Sequence, residues 1–124
     1  RLDSKAAVLK LTPGISAEMV HDMGTHVNAL IIEGFGVGGI PENSGLPQVL
    51  ETLIACGVRI IMTTQVFRGG CDLSVYEVGQ AARNLGAIPA EGMTTEYAVM
   101  RAMWARAYSY TAEDFRNLFL DERN

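Results

Sequence analysis

The chain has 124 residues, 48% of them hydrophobic, and a net charge of −4, a composition typical of one globular domain over residues 1–124 rather than of a disordered chain. It contains no run of basic residues and no apolar run of 18 residues, so we expect neither a nucleic-acid partner nor a membrane partner. The chain starts at Arg1, without Met and without a signal-peptide pattern, and we expect a processed product or a piece of something longer.

Strands and helices are predicted to alternate along the chain. The predicted strands cover residues 6–11, 29–33, 58–63 and 87–89, the last at a sheet edge because it contains Pro89. Four predicted helices begin after the cap residues Ser16, Ser74, Thr94 and Thr111, and another begins at Pro47. The helices that start near Ser16, Pro47 and Ser74 are predicted to end at Gly24, Gly57 and Gly86. Apolar strands in this order predict a three-layer α/β/α domain, Rossmann-like, with a small parallel sheet of about four strands.

The two cysteines do not form a motif. Cys56 falls on an apolar helix pattern, which predicts a small buried hydrophobe, and Cys71 falls in a loop. This arrangement indicates no disulfide framework, and a cytoplasmic location is therefore expected.

The stretch from Asn28 to Pro41 organises the predicted domain, because a buried strand runs there into a loop with glycines at 34, 36, 38 and 39. Open α/β sheets bind ligands at the carboxyl ends of their strands. Residues 12–14, 34–39 and 63–70 follow three parallel strands, so we expect them to share one polar, glycine-rich edge.

Two familiar site patterns are matched poorly. Gly34-x-Gly36-x-x-Gly39 fits the dinucleotide fingerprint, but Pro41 delays the helix and no acidic residue ends the next strand. His21 and His26 are five apart, whereas two zinc ligands on one helix face need a step of four, so we interpret them as surface or helix-end residues. The sequence therefore predicts no cofactor and no metal.

Asp72 is the strongest acidic candidate, because it follows a glycine pair and precedes a helix; its alternative role is to favour the helix dipole. Glu33 ends an interior strand and either pairs with Arg59 or Arg68 or lines the site. Thr63 and Thr64 have no base paired with them by sequence, and Lys10 is expected to face solvent. Because no nucleophile and base are paired, the residues alone predict a ligand edge without a complete catalytic set.

A family resemblance adds to this interpretation. The ordered segments that carry it are Leu9–Ser16, Gly34–Pro41, Thr63–Gln65, Tyr76–Gly79 and Gly92–Glu96. With them the chain resembles, from about Lys5 to Trp104, the C-terminal domain of bacterial L-asparaginases, above all the cytoplasmic type I enzymes. The archaeal amidotransferase subunit that feeds ammonia to glutamyl-tRNA has a similar domain.

The resemblance implies an enzyme that hydrolyses asparagine to aspartate and ammonia without metal or cofactor. Its nucleophilic threonine belongs to a larger N-terminal catalytic domain, which this chain lacks, so we expect no catalytic residue here and no activity from the chain alone. The implied partners are that N-terminal domain, a small amino-acid substrate and further copies of the enzyme in a dimer or tetramer. A tRNA-dependent amidotransferase and a stand-alone small amino-acid-binding module remain alternatives.

The resemblance also implies individual roles. Asp72 stands where an acidic or amide residue approaches the amino group of the substrate, and Gly38 and Gly39 belong to the loop that approaches the shared site. The family often has Asn at the place of Gly39, so that side-chain amide is not supplied here. Glu33 and Val66 stand where type I enzymes can carry the Arg and Cys of an allosteric asparagine site, and we expect no such site in this chain.

Overall fold

The computed structural model describes residues 5–11, 15–34, 45–64, 86–90 and 93–121. These residues contain four parallel strands, which neighbour one another in chain order: β1 Ala6–Lys10, β2 Ala29–Gly34, β3 Arg59–Thr64 and β4 Ile88–Pro89. The described helices are α1 Ala17–Gly24, α2 Leu46–Ala55, α3 Thr95–Ala107 and α4 Ala112–Leu120. The predicted α/β class, the parallel sheet and the edge position of residues 88–89 are confirmed, whereas the helix predicted after Ser74 lies outside the described residues.

The strands pair in register, which sends successive rows of side chains to opposite faces of the sheet. One row contains Val8, Ile31 and Ile61, and the next contains Leu9, Ile32 and Met62. The second of these rows faces α1 and α2, on what we call the first face, and the other faces α3 and α4, on the second face. Helices therefore cover both faces, as the uninterrupted apolar runs predicted.

On the first face, Gly24 has a packing role. The buried core there consists of Leu9, Leu11, Val20, Leu30, Ile32, Leu46, Leu50, Leu53, Val58, Ile60, Met62 and Ala87. A Cβ atom added to Gly24 would overlap with the Cδ1 atom of Leu53, a buried residue of α2. The prediction that Gly24 caps α1 is wrong: the cap is Thr25, in right-handed conformation, and Gly24 is needed because α1 and α2 approach each other closely at this point.

The second face combines small and aromatic side chains. Its buried core consists of Ala29, Ile31, Ile61, Ile88, Ala90, Ala98, Ala102, Ala105, Phe115 and Phe119. The rings of Phe115 and Phe119 stack with centroids 5.9 Å apart, which confirms that both residues of α4 face inward. On α3 three of the four alanines are buried, while the larger Tyr97 and Met100 are exposed.

Side chains predicted as caps begin three helices. Each of these hydroxyls accepts a hydrogen bond from the backbone amide three residues later. The distances are 3.2 Å for Ser16, 3.1 Å for Thr94 and 3.0 Å for Thr111. Gly57, which follows α2, and Gly86 have φ of 94° and 95°, a left-handed conformation that glycine adopts more easily than other residues. In the part of the chain that the structure describes, no helix is both long enough and apolar enough to cross a membrane.

Cys56 is exposed, so the prediction of a buried hydrophobe is wrong. It is the C-cap residue of α2, one position beyond the last helical residue. Because the helix ends before Cys56, this residue does not continue the buried face that contains Leu50 and Leu53. Cys71 lies outside the described residues.

Candidate functional site

The carboxyl ends of β1, β2 and β3 meet at one edge of the sheet. The register places Lys10 beside Glu33 and Glu33 beside Thr63, and Gly34 pairs with Thr64 one position later. We call Lys10, Glu33 and Thr63 the polar row. Because the strands are parallel, this meeting of strand ends was predictable, and the structure confirms it for the described residues.

Hydrogen bonds hold the strands together at this edge. The Leu11 amide donates to the Glu33 carbonyl at 2.9 Å, which continues the pairing of β1 with β2 beyond the last residue of β1. The Thr63 hydroxyl donates to the Ile32 carbonyl at 3.4 Å, and Thr63 is only 4% exposed. Since this hydroxyl is buried and bonded to the neighbouring strand, it supports the edge and is poorly placed to act as a nucleophile.

The two charged members of the polar row differ in burial. Lys10 is exposed on the edge strand β1, as predicted, whereas Glu33 on the interior strand β2 is half-buried. A pair between Glu33 and Arg59 is excluded, because Arg59 lies opposite Ala29 at the other end of β2. Four residues of strand separate these positions, about 13 Å. Arg68, the other partner considered, lies outside the described residues.

The predicted substrate-binding residues Gly38, Gly39 and Asp72 lie outside the described residues. The segments that carry them follow Gly34 and Thr64 directly in the chain, and these two residues form the last pair of the sheet. The roles assigned to the three residues remain predictions.

The histidines are helix-end residues, as interpreted. His21 is exposed in the last turn of α1, and His26 follows the helix with its Nδ1 atom 2.7 Å from the Asp22 carbonyl oxygen. Among the described residues, no three His, Cys, Asp or Glu side chains are grouped so as to hold a metal ion.

Sequence reasoning missed a second polar region, at the amino-terminal edge of the sheet. Arg59 begins β3, and Arg106 lies in the last turn of α3. Both side chains line a cleft of about 450 Å³. The predicted topology could have indicated this region. A helix that runs antiparallel to the strands ends near the edge where the strands begin, so charged residues at the start of β3 and the end of α3 lie close together.

Comparison with known proteins places this domain. The family model of the Glutaminase/Asparaginase C-terminal domain matches residues 5–119. The L-asparaginase of Thermococcus kodakarensis is 38% identical over 125 residues, covering 99% of this chain and 37% of that protein. A glutamyl-tRNA(Gln) amidotransferase subunit of Pyrococcus abyssi is 33% identical over 123 residues, covering 97% of this chain and 27% of that protein.

Solved structures agree with the sequence relatives. The thermostable L-asparaginase from Thermococcus kodakarensis superposes with a TM-score of 0.84 at 35% identity, over 98% of this chain and 37% of that chain. L-asparaginase I from Vibrio cholerae superposes with a TM-score of 0.79 at 28% identity, over 97% of this chain and 37% of that chain.

The sheet and the helices on its two faces define an α/β domain of the kind found in amidohydrolases of this group. The chain belongs to the Glutaminase/Asparaginase C-terminal domain family, which confirms the resemblance carried by the five ordered segments. It spans 37% of the length of the L-asparaginase it matches.

Proposed function

We propose that this chain is the C-terminal domain of an L-asparaginase, which hydrolyses L-asparagine to L-aspartate and ammonia. The observation that carries the proposal is the 38% identity to an L-asparaginase across 99% of the chain. The TM-score of 0.84 to an L-asparaginase structure supports the same assignment. Residues 1–124 then form one domain, and its partner is the N-terminal catalytic domain of the same enzyme.

In this proposal the chain completes an active site whose chemistry the N-terminal domain supplies. The Thr63 hydroxyl of the polar row is buried and already bonded to the Ile32 carbonyl, so it is not a free nucleophile. The isolated chain is inert in this proposal because the nucleophile belongs to the N-terminal domain. The intact enzyme works without metal or cofactor, as a cytoplasmic homo-oligomer, dimer or tetramer.

Asp72, Gly38 and Gly39 are the proposed substrate-binding residues. The Asp72 carboxylate pairs with the ammonium group of the amino-acid substrate, and the two glycines let the loop backbone approach it. The pairing of Gly34 with Thr64 supports this proposal, because both segments leave the sheet from adjacent strands.

A tRNA-dependent amidotransferase is the second candidate, favoured by the 33% identity to the amidotransferase subunit of Pyrococcus abyssi. That protein exceeds this chain in length even more than the L-asparaginase does, since the match covers 27% of it. The two candidates differ in what releases ammonia: free asparagine suffices for the first, whereas the second is expected to require its complex on glutamyl-tRNA.

Ammonia release tests the proposal. We expect no release from asparagine by the purified 124-residue chain, and release once the chain is joined to the catalytic domain of its own enzyme. Release from glutamine that depends on glutamyl-tRNA would favour the amidotransferase. Turnover of asparagine by the chain alone would contradict the proposed division of labour between the domains.

A conservative substitution tests the proposed role of Asp72. In the intact enzyme, Asp72→Asn should lower kcat/KM for asparagine about ten-fold or more, the effect of losing one charge-assisted hydrogen bond. Asp114→Asn is the matched control, because Asp114 is an exposed carboxylate in the first turn of α4. If both variants keep normal kinetics and lose only a little stability, Asp72 acts on the helix dipole instead.

A further inference from the structure

The cleft at the amino-terminal edge of the sheet is formed where several elements end or begin. Its walls come from the end of α1, the residues after α2, the starts of β2 and β3, and the end of α3. Two arginines, Arg59 and Arg106, and one histidine, His21, line it. Its volume of about 450 Å³ is within the range of small-molecule sites.

The guanidinium groups of the two arginines are incompletely used. The Nε atoms of Arg59 and Arg106 are both buried, and neither has a hydrogen-bond partner among the described residues. Arg59 donates from Nη1 to the Gly57 carbonyl at 3.2 Å, and its guanidinium lies 5.6 Å from the centroid of the Phe115 ring. A guanidinium has five N–H donors, and a buried donor without an acceptor destabilises the fold.

The charges at the cleft are also unbalanced. Burial lowers the pKa of Arg59, and the positive charge of Arg106 lowers it further. None of the described residues that line the cleft is Asp or Glu. Two cations that face the same space with unused donors repel each other until an anion enters between them.

We propose that this cleft binds an oxyanion, a carboxylate or phosphate group held between Arg59 and Arg106. The oxyanion accepts hydrogen bonds from the parts of the two arginine side chains that line the cleft, and its negative charge removes the repulsion between the guanidinium groups. Its source is either a small free acid or phosphate ester, or a carboxylate from another part of the intact protein.

Thermal denaturation of the 124-residue chain with added inorganic phosphate or succinate, at constant ionic strength, tests the proposal. We expect a saturable rise in Tm, because a ligand that binds only the folded state stabilises it. Arg59→Gln and Arg106→Gln should each weaken the fitted affinity about ten-fold or more, since each removes a charge-assisted contact. Arg106→Gln should also raise Tm in the absence of anion, by removing the repulsion.

The controls separate a bound anion from a general salt effect. Arg116→Gln removes the same charge from a half-buried position on α4 that does not line the cleft, and it should leave the affinity unchanged. Arg106→Lys keeps the charge but loses the planar set of donors, so we expect an intermediate affinity. This variant still tests the proposal if Arg106→Gln does not fold.

The same titration on the intact enzyme distinguishes the two possible sources of the oxyanion. Saturable binding to both proteins indicates a free anion, and binding to the isolated chain alone indicates that a carboxylate of the intact protein occupies the cleft. A chain that shows no saturable response, or the same affinity in Arg59→Gln, Arg106→Gln and Arg116→Gln, would overturn the proposal.

Discussion

On the first face of the sheet α1 and α2 bury mainly branched aliphatic side chains, whereas on the second face α3 buries alanines and α4 buries two phenylalanines. Alanines let the α3 backbone approach the strands closely, and the large rings of Phe115 and Phe119 fill the space beside them. The strand side chains differ as well, because Lys10, Glu33 and Thr63 lie in the rows of the second face, whereas the rows that pack into the core of the first face are apolar. The two faces thus show two ways of filling a core.

The second face also contains a buried charge. Arg101 is 7% exposed, and its Nε donates to the Phe119 carbonyl at 2.6 Å while Nη2 donates to the Leu118 carbonyl at 2.8 Å and to the Asp121 carbonyl. Carbonyls in the last turn of a helix have no partner within it, and a cation there complements the helix dipole. The first face has no buried charged side chain among the described residues, so it depends on apolar packing alone.

The largest expected effect is on the aromatic pair. Phe115→Ala should lower the free energy of unfolding by about 4 kcal/mol, and Leu50→Ala on the first face by about 3 kcal/mol, because rigid rings leave the larger cavity. Denaturant unfolding of the two variants measures the difference. Leu120→Ala, at a residue of α4 that is 39% exposed, is the control and should cost less than about 1 kcal/mol. A larger loss from Leu50→Ala than from Phe115→Ala would reverse the comparison.

Removal of the buried charge should have the next largest effect. Arg101→Met is expected to cost about 3 kcal/mol, since it removes the donor to the Phe119 carbonyl and leaves the Leu118 carbonyl with only the Asp121 amide among the described residues. Arg101→Lys keeps the charge without the planar fork and should cost less. If Arg101→Met unfolds at the same denaturant concentration as the native chain, both faces depend on apolar packing and the distinction between them is wrong.

The smallest effect concerns the contact of α1 with α2. Gly24→Ala should cost about 1 kcal/mol, because overpacking against Leu53 outweighs the better helix propensity of alanine. In a Leu53→Ala background the same change should become stabilising, by up to about 1 kcal/mol of propensity. A double-mutant cycle measures this coupling, and an unchanged cost in both backgrounds would show that Leu53 is not the obstacle.

The candidate site shows where sequence reasoning stops. Parallel strands require their carboxyl ends to meet, so the shared edge was predictable. The polar row depends on register: placing Glu33 beside Thr63 rather than beside Arg59 is decided by strand pairing, which the run of apolar residues does not encode. The proposed roles of Gly38, Gly39 and Asp72 stay predictions for kinetics to test.

The class of the fold, the family and the helix starts at Ser16, Thr94 and Thr111 could all be predicted from the amino-acid order, because apolar runs and caps act over a few neighbouring residues. The packed domain was needed to show that Gly24 contacts Leu53, that Cys56 is exposed, and that Arg59 and Arg106 line one cleft. These features depend on how elements far apart in the chain approach one another, and that approach is fixed by the packing of the whole domain.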